Sequence, residues 1–302
     1  MKSFRNMSFL ILAVIVSLGL QGCSEGKIDS EIKDAITKTN SSKSYSSEIN
    51  IETQITDGEN TGTSVNKYEM ETLLSPSFIK KITSNTYYQD EQTSTFLMYI
   101  CESENHMEAF INYGDAWARQ LIEKDAAESD LAQYDAALLA GDYLEYTEGF
   151  EEKGEEEGYK IYKGIIKPKN IKNAIEAAGT FKSTGIEVIP NSYFSDLKGL
   201  EVIVYVDSEG RLAKFSVDVA EVMQLIFEQA YYTEEMSEYK DVKYSKMLIY
   251  TYIYNFDGIS EIAIPDEAIN AKEFSEDFFE ESGLSSDLTE DEENFESSEN
   301  AE

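Results

Sequence analysis

The sequence predicts an α+β protein built on a predominantly antiparallel sheet, and three observations carry that prediction. Between Tyr45 and Ile55 the residues alternate strictly, with Tyr45, Ser47, Ile49, Ile51, Thr53 and Ile55 on one side and Ser46, Glu48, Asn50, Glu52 and Gln54 on the other. This is the pattern of a half-buried strand. Further runs of the same kind follow at hairpin spacing with turn residues between them. Helical periodicity is confined to short stretches before, between and after these runs, so the order is helix, meander, helical insert, meander.

Taken in order, Asp29 can cap a helix whose apolar positions Ile32, Ala35 and Ile36 recur at helical spacing, ending in the polar KTNSSKS. The alternating strand follows, DGENTG turns it, and TSVNKYEMETLL returns. Strands are expected over 78–88, 93–102 and 107–113, with a Gly114-Asp115 turn before Trp117. Leu131, Tyr134 and Leu138 mark a helical patch over 129–140 that is expected to stop at Gly141. EGFEEKGEEEGYKIYKGII reads as a hairpin, 170–178 as a short helix, and LEVIVYVDSEGRLAKFSVDV as the clearest hairpin in the chain. A helix over 220–238 precedes a long strand, KYSKMLIYTYIYNF, and a last strand, SEIAI, meets Pro265. The two meanders have comparable order but no residue-level repeat.

The chain opens differently. Lys2 and Arg5 precede an almost entirely apolar run from Met7 to Leu20, and no charge follows until Glu25. These are the n-region and h-region of an export signal. The run is shorter than the roughly 18 to 20 residues that span a bilayer as a helix, which favours a cleaved signal over a permanent anchor. It ends in Leu20-Gln21-Gly22-Cys23, which resembles the bacterial lipobox. That resemblance implies that a diacylglyceryl group is joined to the Cys23 sulfur through a thioether, that a peptidase cuts ahead of it, and that Cys23 becomes the first residue of the mature protein. Two acyl chains anchor stably where one is marginal. A simple secretory signal with a chance Cys is the alternative. The expected division is a signal peptide over 1–22, lipidated Cys23 and a short tether over 23–27, one domain over 28–272 and an acidic tail over 273–302.

Charge excludes several function classes. The chain carries 59 acidic against 25 basic residues, a formal net charge of −34, and removal of the segment holding Lys2 and Arg5 takes it two units further. Such a surface repels nucleic acid phosphates and anionic headgroups, so no nucleic acid partner is expected and membrane contact falls to the lipid on Cys23. The tail holds thirteen acids and no bases and is read as a disordered, solvating segment, with a short recognition segment as the alternative. Cys101 and His106 are single in the mature chain, too few for a zinc site. As a catalytic pair they lack an orienting third group. The acidic clusters do not match the calcium loop with its Gly and closing Glu. No cofactor, metal or enzymatic activity is expected.

Three strands are apolar on both faces: Phe96 to Ile100, Val202 to Val206 and Met247 to Tyr254. A strand with one wet face should alternate, so these need cover on both sides. Ten residues are candidates for lining a ligand cavity between sheet and helices: Tyr68, Met70, Phe96, Met98, Ile100, Trp117, Tyr205, Ile249, Tyr250 and Tyr252. The competing reading is an ordinary packed core with tyrosine hydroxyls at its rim.

Four features together resemble the bacterial lipoproteins that share the open barrel of the lipoprotein carrier LolA and the mycobacterial lipid-binding lipoproteins, near uncharacterised Firmicute members. They are Cys23, the helix followed by KSYSSEINIETQ, the FINYGDAWARQL strand with its Gly-Asp turn and Trp117, and the closing YNFDGISEIAIPDEAINA. The resemblance covers residues 28 to 272 and implies an open half-barrel, a large curved sheet with helices on its concave face. It also implies a lipid or hydrophobic small molecule held inside, at the extracytoplasmic face of the cell membrane. The acidic insert over 143–158 and the long helix before the last strands depart from that group. The rival expectation is a surface interaction or sensory module with a packed core, touching an envelope protein partner through its tail or loops.

Overall fold

The first alternating segment becomes β1 (Ser44–Asp57), and the rest of the sheet is laid out on either side of it. The computed structural model describes residues 28–58, 60–114, 116–124, 134–180, 191–230 and 241–275. The proposed signal, Cys23, its tether, residues 129–133 and 231–238 of two expected helices, and all but the first few tail residues lie outside them.

On one side of β1 runs a meander of β2 (Asn60–Leu73), β3 (Ile79–Tyr88), β4 (Glu91–Glu102), β5 (His106–Asn112) and β6 (Trp117–Glu123). On the other, β11 (Val242–Tyr254) pairs antiparallel with β1 and continues into β10 (Leu212–Asp218), β9 (Leu200–Val206), β8 (Tyr159–Ile166) and β7 (Thr147–Glu156). A two-residue strand, β12 (Lys272–Glu273), joins β6 in parallel. The order is therefore β12-β6-β5-β4-β3-β2-β1-β11-β10-β9-β8-β7, a twelve-stranded sheet that does not close. The expected fold class holds: α+β, an open half-barrel.

The helices are α1 (28–40), α2 (Ala136–Glu145), α3 (Pro168–Ala177), α4 (Ala220–Ala230) and the short α5 (Asp266–Ile269). On one face α2 lies against β1, β7, β10 and β11, α3 against β8, and α4 against β11. Tyr143, Tyr162, Phe194 and Phe215 are at most 1% exposed in that layer, and the Tyr143 ring stacks on Phe215 at 5.6 Å. Each such side chain contributes about 1.5 to 3 kcal/mol on burial. Gly164 marks how tightly β7 and β8 meet: a Cβ there would lie 2.5 Å from Thr147 Cγ2 and 2.8 Å from the Phe150 ring. Only glycine fits beneath that ring.

Several expectations need correction. SEIAI joins no ladder. Its alternation is real, with Ile262 buried and Ile264 half-buried, but these side chains pack flat onto the opposite face of the sheet, with Leu73, Tyr99, Phe110 and Ala268. The second cover that β4 requires is thus a non-helical segment. Gly141 does not end a helix, because α2 starts later, on the Asp135 cap, and runs through it to Glu145. Asp29 stands inside α1 and not ahead of it. Of the residues assigned to the tail, Glu273 pairs with Arg119 and the Phe274 ring stacks on Tyr113 at 6.3 Å.

Candidate functional site

Register decides which candidates share a face. Tyr68 is opposite Ile49, Ile49 opposite Thr251, Thr251 opposite Phe215, and Phe215 opposite Val204. This row lies under the helices. Met70, Ile82 and Met98 form a neighbouring row, and Phe96, Ile100 and Ile249 have the same parity. Tyr68, Met70, Phe96, Met98, Ile100 and Ile249 are therefore together on the helix-covered face. Tyr252 stands in a different row, with Glu48, Lys214 and Tyr205, and Tyr250 beside it is opposite Asn50. Tyr205, Tyr250 and Tyr252 thus point away from the helices. Trp117 does too, packing on Tyr99 at 5.9 Å beneath the C-terminal segment. The sheet divides the ten candidates six to four, and no single cavity is lined by all of them.

On the helix-covered face, Met70, Ile82 and Ile100 are at most 2% exposed, while Tyr68, Phe96, Met107, Ile111 and Ile122 are half-buried at the edge of the core. Between these groups lies a polar cluster that the sequence did not reveal. Lys80, 3% exposed, donates from Nζ to Asp135 Oδ2 at 2.6 Å and to the Tyr134 carbonyl at 3.1 Å. The Tyr45 hydroxyl donates to Asp135 at 3.0 Å, and the Ala137 and Leu138 N–H groups donate to its other oxygen at 3.0 Å. Burial opposes ionisation of Asp135, but the Lys80 ammonium and these donors outweigh it and hold the carboxyl below its usual range. Burial and the adjacent Asp135 charge push the Tyr45 phenol well above its ordinary value. The cluster clamps the start of α2 to β1 and β3. The alternation of Lys80, Ile82 and Ser84 carried a signal for it, since it sets a lysine on an apolar face.

A cleft of about 510 Å³ opens between α1, α2 and β7. Ile32, Ile36, Leu144 and Phe150 supply its apolar surface; Asp29, Lys33, Thr37, Glu145 and Thr147 supply its polar lining. Gly141 lines it as well, and a Cβ there would meet only Ile36 Cγ2, at 4.0 Å, so the missing side chain keeps the cleft open. The far wall is fixed because α1 is pinned to the sheet. Glu31 pairs with Lys160 at 2.8 Å, Lys38 donates to the Glu209 carbonyl at 3.1 Å, and Thr39 accepts from the Leu212 N–H at 2.9 Å. None of the ten candidates lines this cleft. Its residues come from the expected first helix, from the expected hairpin at Phe150 and from the stretch 141–147 between the expected helical patch and that hairpin, and only the folded chain brings them together.

Cys101 and His106 occupy neighbouring strands. Burial and then the Glu108 charge push the Cys101 thiol up, away from a reactive thiolate, and His106 Nε2 is 3.2 Å from Glu108 Oε1. Among the described residues, no three His, Cys, Asp or Glu side chains are grouped to hold a metal ion, and no helix is long and apolar enough to cross a membrane.

No known protein family and no curated protein matches the sequence. Among solved structures the chain is similar to LprF from Mycobacterium bovis, at 10% identity and a TM-score of 0.42 over 80% of this chain and 98% of that one. It is similar to a beta-barrel-like protein of domain of unknown function DUF1849 from Brucella abortus, at 9% identity and a TM-score of 0.25 over 70% and 98% of the two chains. A DUF1329 family protein from Desulfovibrio piger gives 12% identity and a TM-score of 0.23 over 86% and 98%.

Proposed function

We propose that this chain is a lipid-anchored, extracytoplasmic binding protein that holds a hydrophobic ligand in its half-barrel, with the cleft beside α1 as the site. The observation that carries the reading is the cleft itself. Its volume of about 510 Å³ falls within the range of small-molecule sites, and it sets four apolar side chains beside five polar ones, so an amphipathic molecule finds both kinds of contact. Its position supports the membrane part of the reading. Only Ser24 to Lys27 separate Cys23 from Ile28, the first described residue of α1, and four residues reach at most about 13 to 15 Å. An acylated Cys23 would keep Asp29, Ile32 and Lys33, at the start of α1, close to the bilayer from which a lipid is taken. The role is binding, not catalysis.

Native mass spectrometry of a soluble form beginning at Ser24 tests the reading. A bound acyl compound is expected on the wild type and a reduced amount on Gly141→Leu, which fills the cleft. Ligand-free protein in every preparation, or equal loading of both forms, contradicts it. The anchor is tested separately: Cys23→Ser should move the protein from the membrane fraction to the soluble one.

The second reading, an interaction module, has its own support. Beneath α2, α3 and α4 the layer is filled by Tyr143, Tyr162, Phe194 and Phe215. It predicts that deleting residues 276–302, which leaves β12 intact, abolishes crosslinking to an envelope protein.

A further inference from the structure

The face of the sheet away from the helices is not uniform. Over β3 to β6 it is covered by Ile259, Ile262, Ile264 and Ala268. Over β8 to β11 that face carries five tyrosines, Tyr159, Tyr205, Tyr250, Tyr252 and Tyr254, beside the aliphatic Ile161, Ile203 and Leu248. Tyr252 and Tyr205 flank Lys214 in one row across β11, β10 and β9. Lys214 Nζ lies 4.6 Å from the centre of the Tyr159 ring and 5.5 Å from those of Tyr205 and Tyr252. Tyr254 stacks on Tyr252 at 4.8 Å. Tyr250 stands beside them, and every one of these side chains is half-buried. The rings are thus held in place by one another and by a cation, and each keeps part of its surface exposed.

Charge distinguishes this strip from the rest of the molecule. In a chain of net charge −34, the lysines around it are each matched. Lys67 lies 2.8 Å from Glu69 and 3.7 Å from Glu48, Lys246 lies 2.5 Å from Glu52, Lys163 pairs with Glu201, and Lys214 lies 3.7 Å from Glu157. The strip is close to neutral and rich in hydroxyl, amide and ammonium groups from the tyrosines, Ser216, Asn50 and Lys214.

We propose that this tyrosine strip binds a neutral polysaccharide chain. The C–H faces of pyranose rings stack on tyrosine rings, and sugar hydroxyls exchange hydrogen bonds with the polar groups between them. Tyr205 and Tyr252 are two strands apart, about 9.5 Å, so an extended glycan crossing the strands meets one ring and then the next, with Lys214 between. A polyanionic chain is disfavoured by the net charge of the protein. A basic protein finds carboxylates here that are already matched to lysines. The strip is on the opposite face from the cleft, and its role does not depend on that site.

The test is calorimetric titration of the full chain, in detergent, with the soluble hexasaccharides of cellulose and of chitin at low and high salt. At least one should bind, with little change between the two salts. Combining Tyr205→Ala with Tyr252→Ala should weaken it by about tenfold or more, whereas the corresponding pair of Phe substitutions, which keep the rings, should retain most of the affinity. Ser216→Arg places a bulky charge in the middle of the strip without touching the core, and should cause the same loss if the alanine variant does not fold. Binding of neither sugar, or binding that survives both the alanine variant and Ser216→Arg, overturns the proposal. So does an envelope protein whose crosslinking is lost with these variants while both sugars remain silent.

Discussion

Strand β11 has two faces with the same composition problem and different solutions. Ile249, Thr251 and Ile253 are at most 1% exposed beneath the helices, whereas Tyr250, Tyr252 and Tyr254, interleaved with them, remain half-buried on the other side. An apolar strand can be covered by another element, or it can carry side chains that are apolar at the root and polar at the tip. The lysines divide likewise. Lys80, under the helices, is 3% exposed and bound to a buried carboxylate at 2.6 Å, while Lys214, on the other face, lies over aromatic rings and 3.7 Å from an exposed glutamate. Structural charge is inside and adaptable charge outside.

The contrast is most exposed to failure at the lysines. Lys80→Met leaves Asp135 buried without its cation and should cost about 3 to 5 kcal/mol in denaturant unfolding, and combining it with Asp135→Asn should recover much of that loss. Lys214→Met should cost about 1 kcal/mol or less. Equal losses at the two sites would remove the distinction between the faces. The aromatics give the next test. Phe215→Ala opens a void in the filled layer and should cost about 3 to 5 kcal/mol, against about 1 kcal/mol for Tyr252→Ala.

A smaller effect separates two carboxylates on one helix. Asp135 titrates below its usual range, so its contribution is present above about pH 4 and is lost as pH falls through its lowered value. Asp142 goes the other way: burial first, then the charges of Glu145 and Asp135, push it from 3.8 up to about 6. The folded state then holds its proton where the unfolded state has released it, so stability falls as pH rises from about 4 to 6. Asp142→Asn should flatten that decline and, at this half-exposed site, gain about 1 kcal/mol at pH 7 after allowance for solvent screening. An unchanged pH profile would place Asp142 in ordinary solvent.

Much of the fold was legible because its signals are local. Strict alternation from Tyr45 to Ile55 and the Asp207-Ser208-Glu209-Gly210 turn depend only on neighbours in sequence, and both are present where they were expected. The candidate site was not legible, because faces depend on register between distant strands. Tyr68 and Tyr250 are each outward or inward by the parity of one strand. Whether they share a side is fixed by the pairings of β1 with β2 and with β11, the latter joining residues some 200 apart in the chain. SEIAI shows the same limit. Its alternation correctly marks one buried edge, but nothing local says whether the backbone joins a ladder or lies flat across one. Gly141 shows a third limit: packing of α2 against the sheet and α3 holds it helical through a residue that weakens an isolated helix by about 1 kcal/mol.

The central claim, a ligand site in the cleft beside α1, is tested most directly by titrating a fluorescent fatty acid into the wild type and into Gly141→Leu, with equal thermal midpoints as the control for folding. The account predicts saturable uptake by the wild type, displaced by unlabelled lipid, and weakened by about tenfold or more when the cleft is filled. Uptake of equal affinity by both proteins, or by neither, would contradict it.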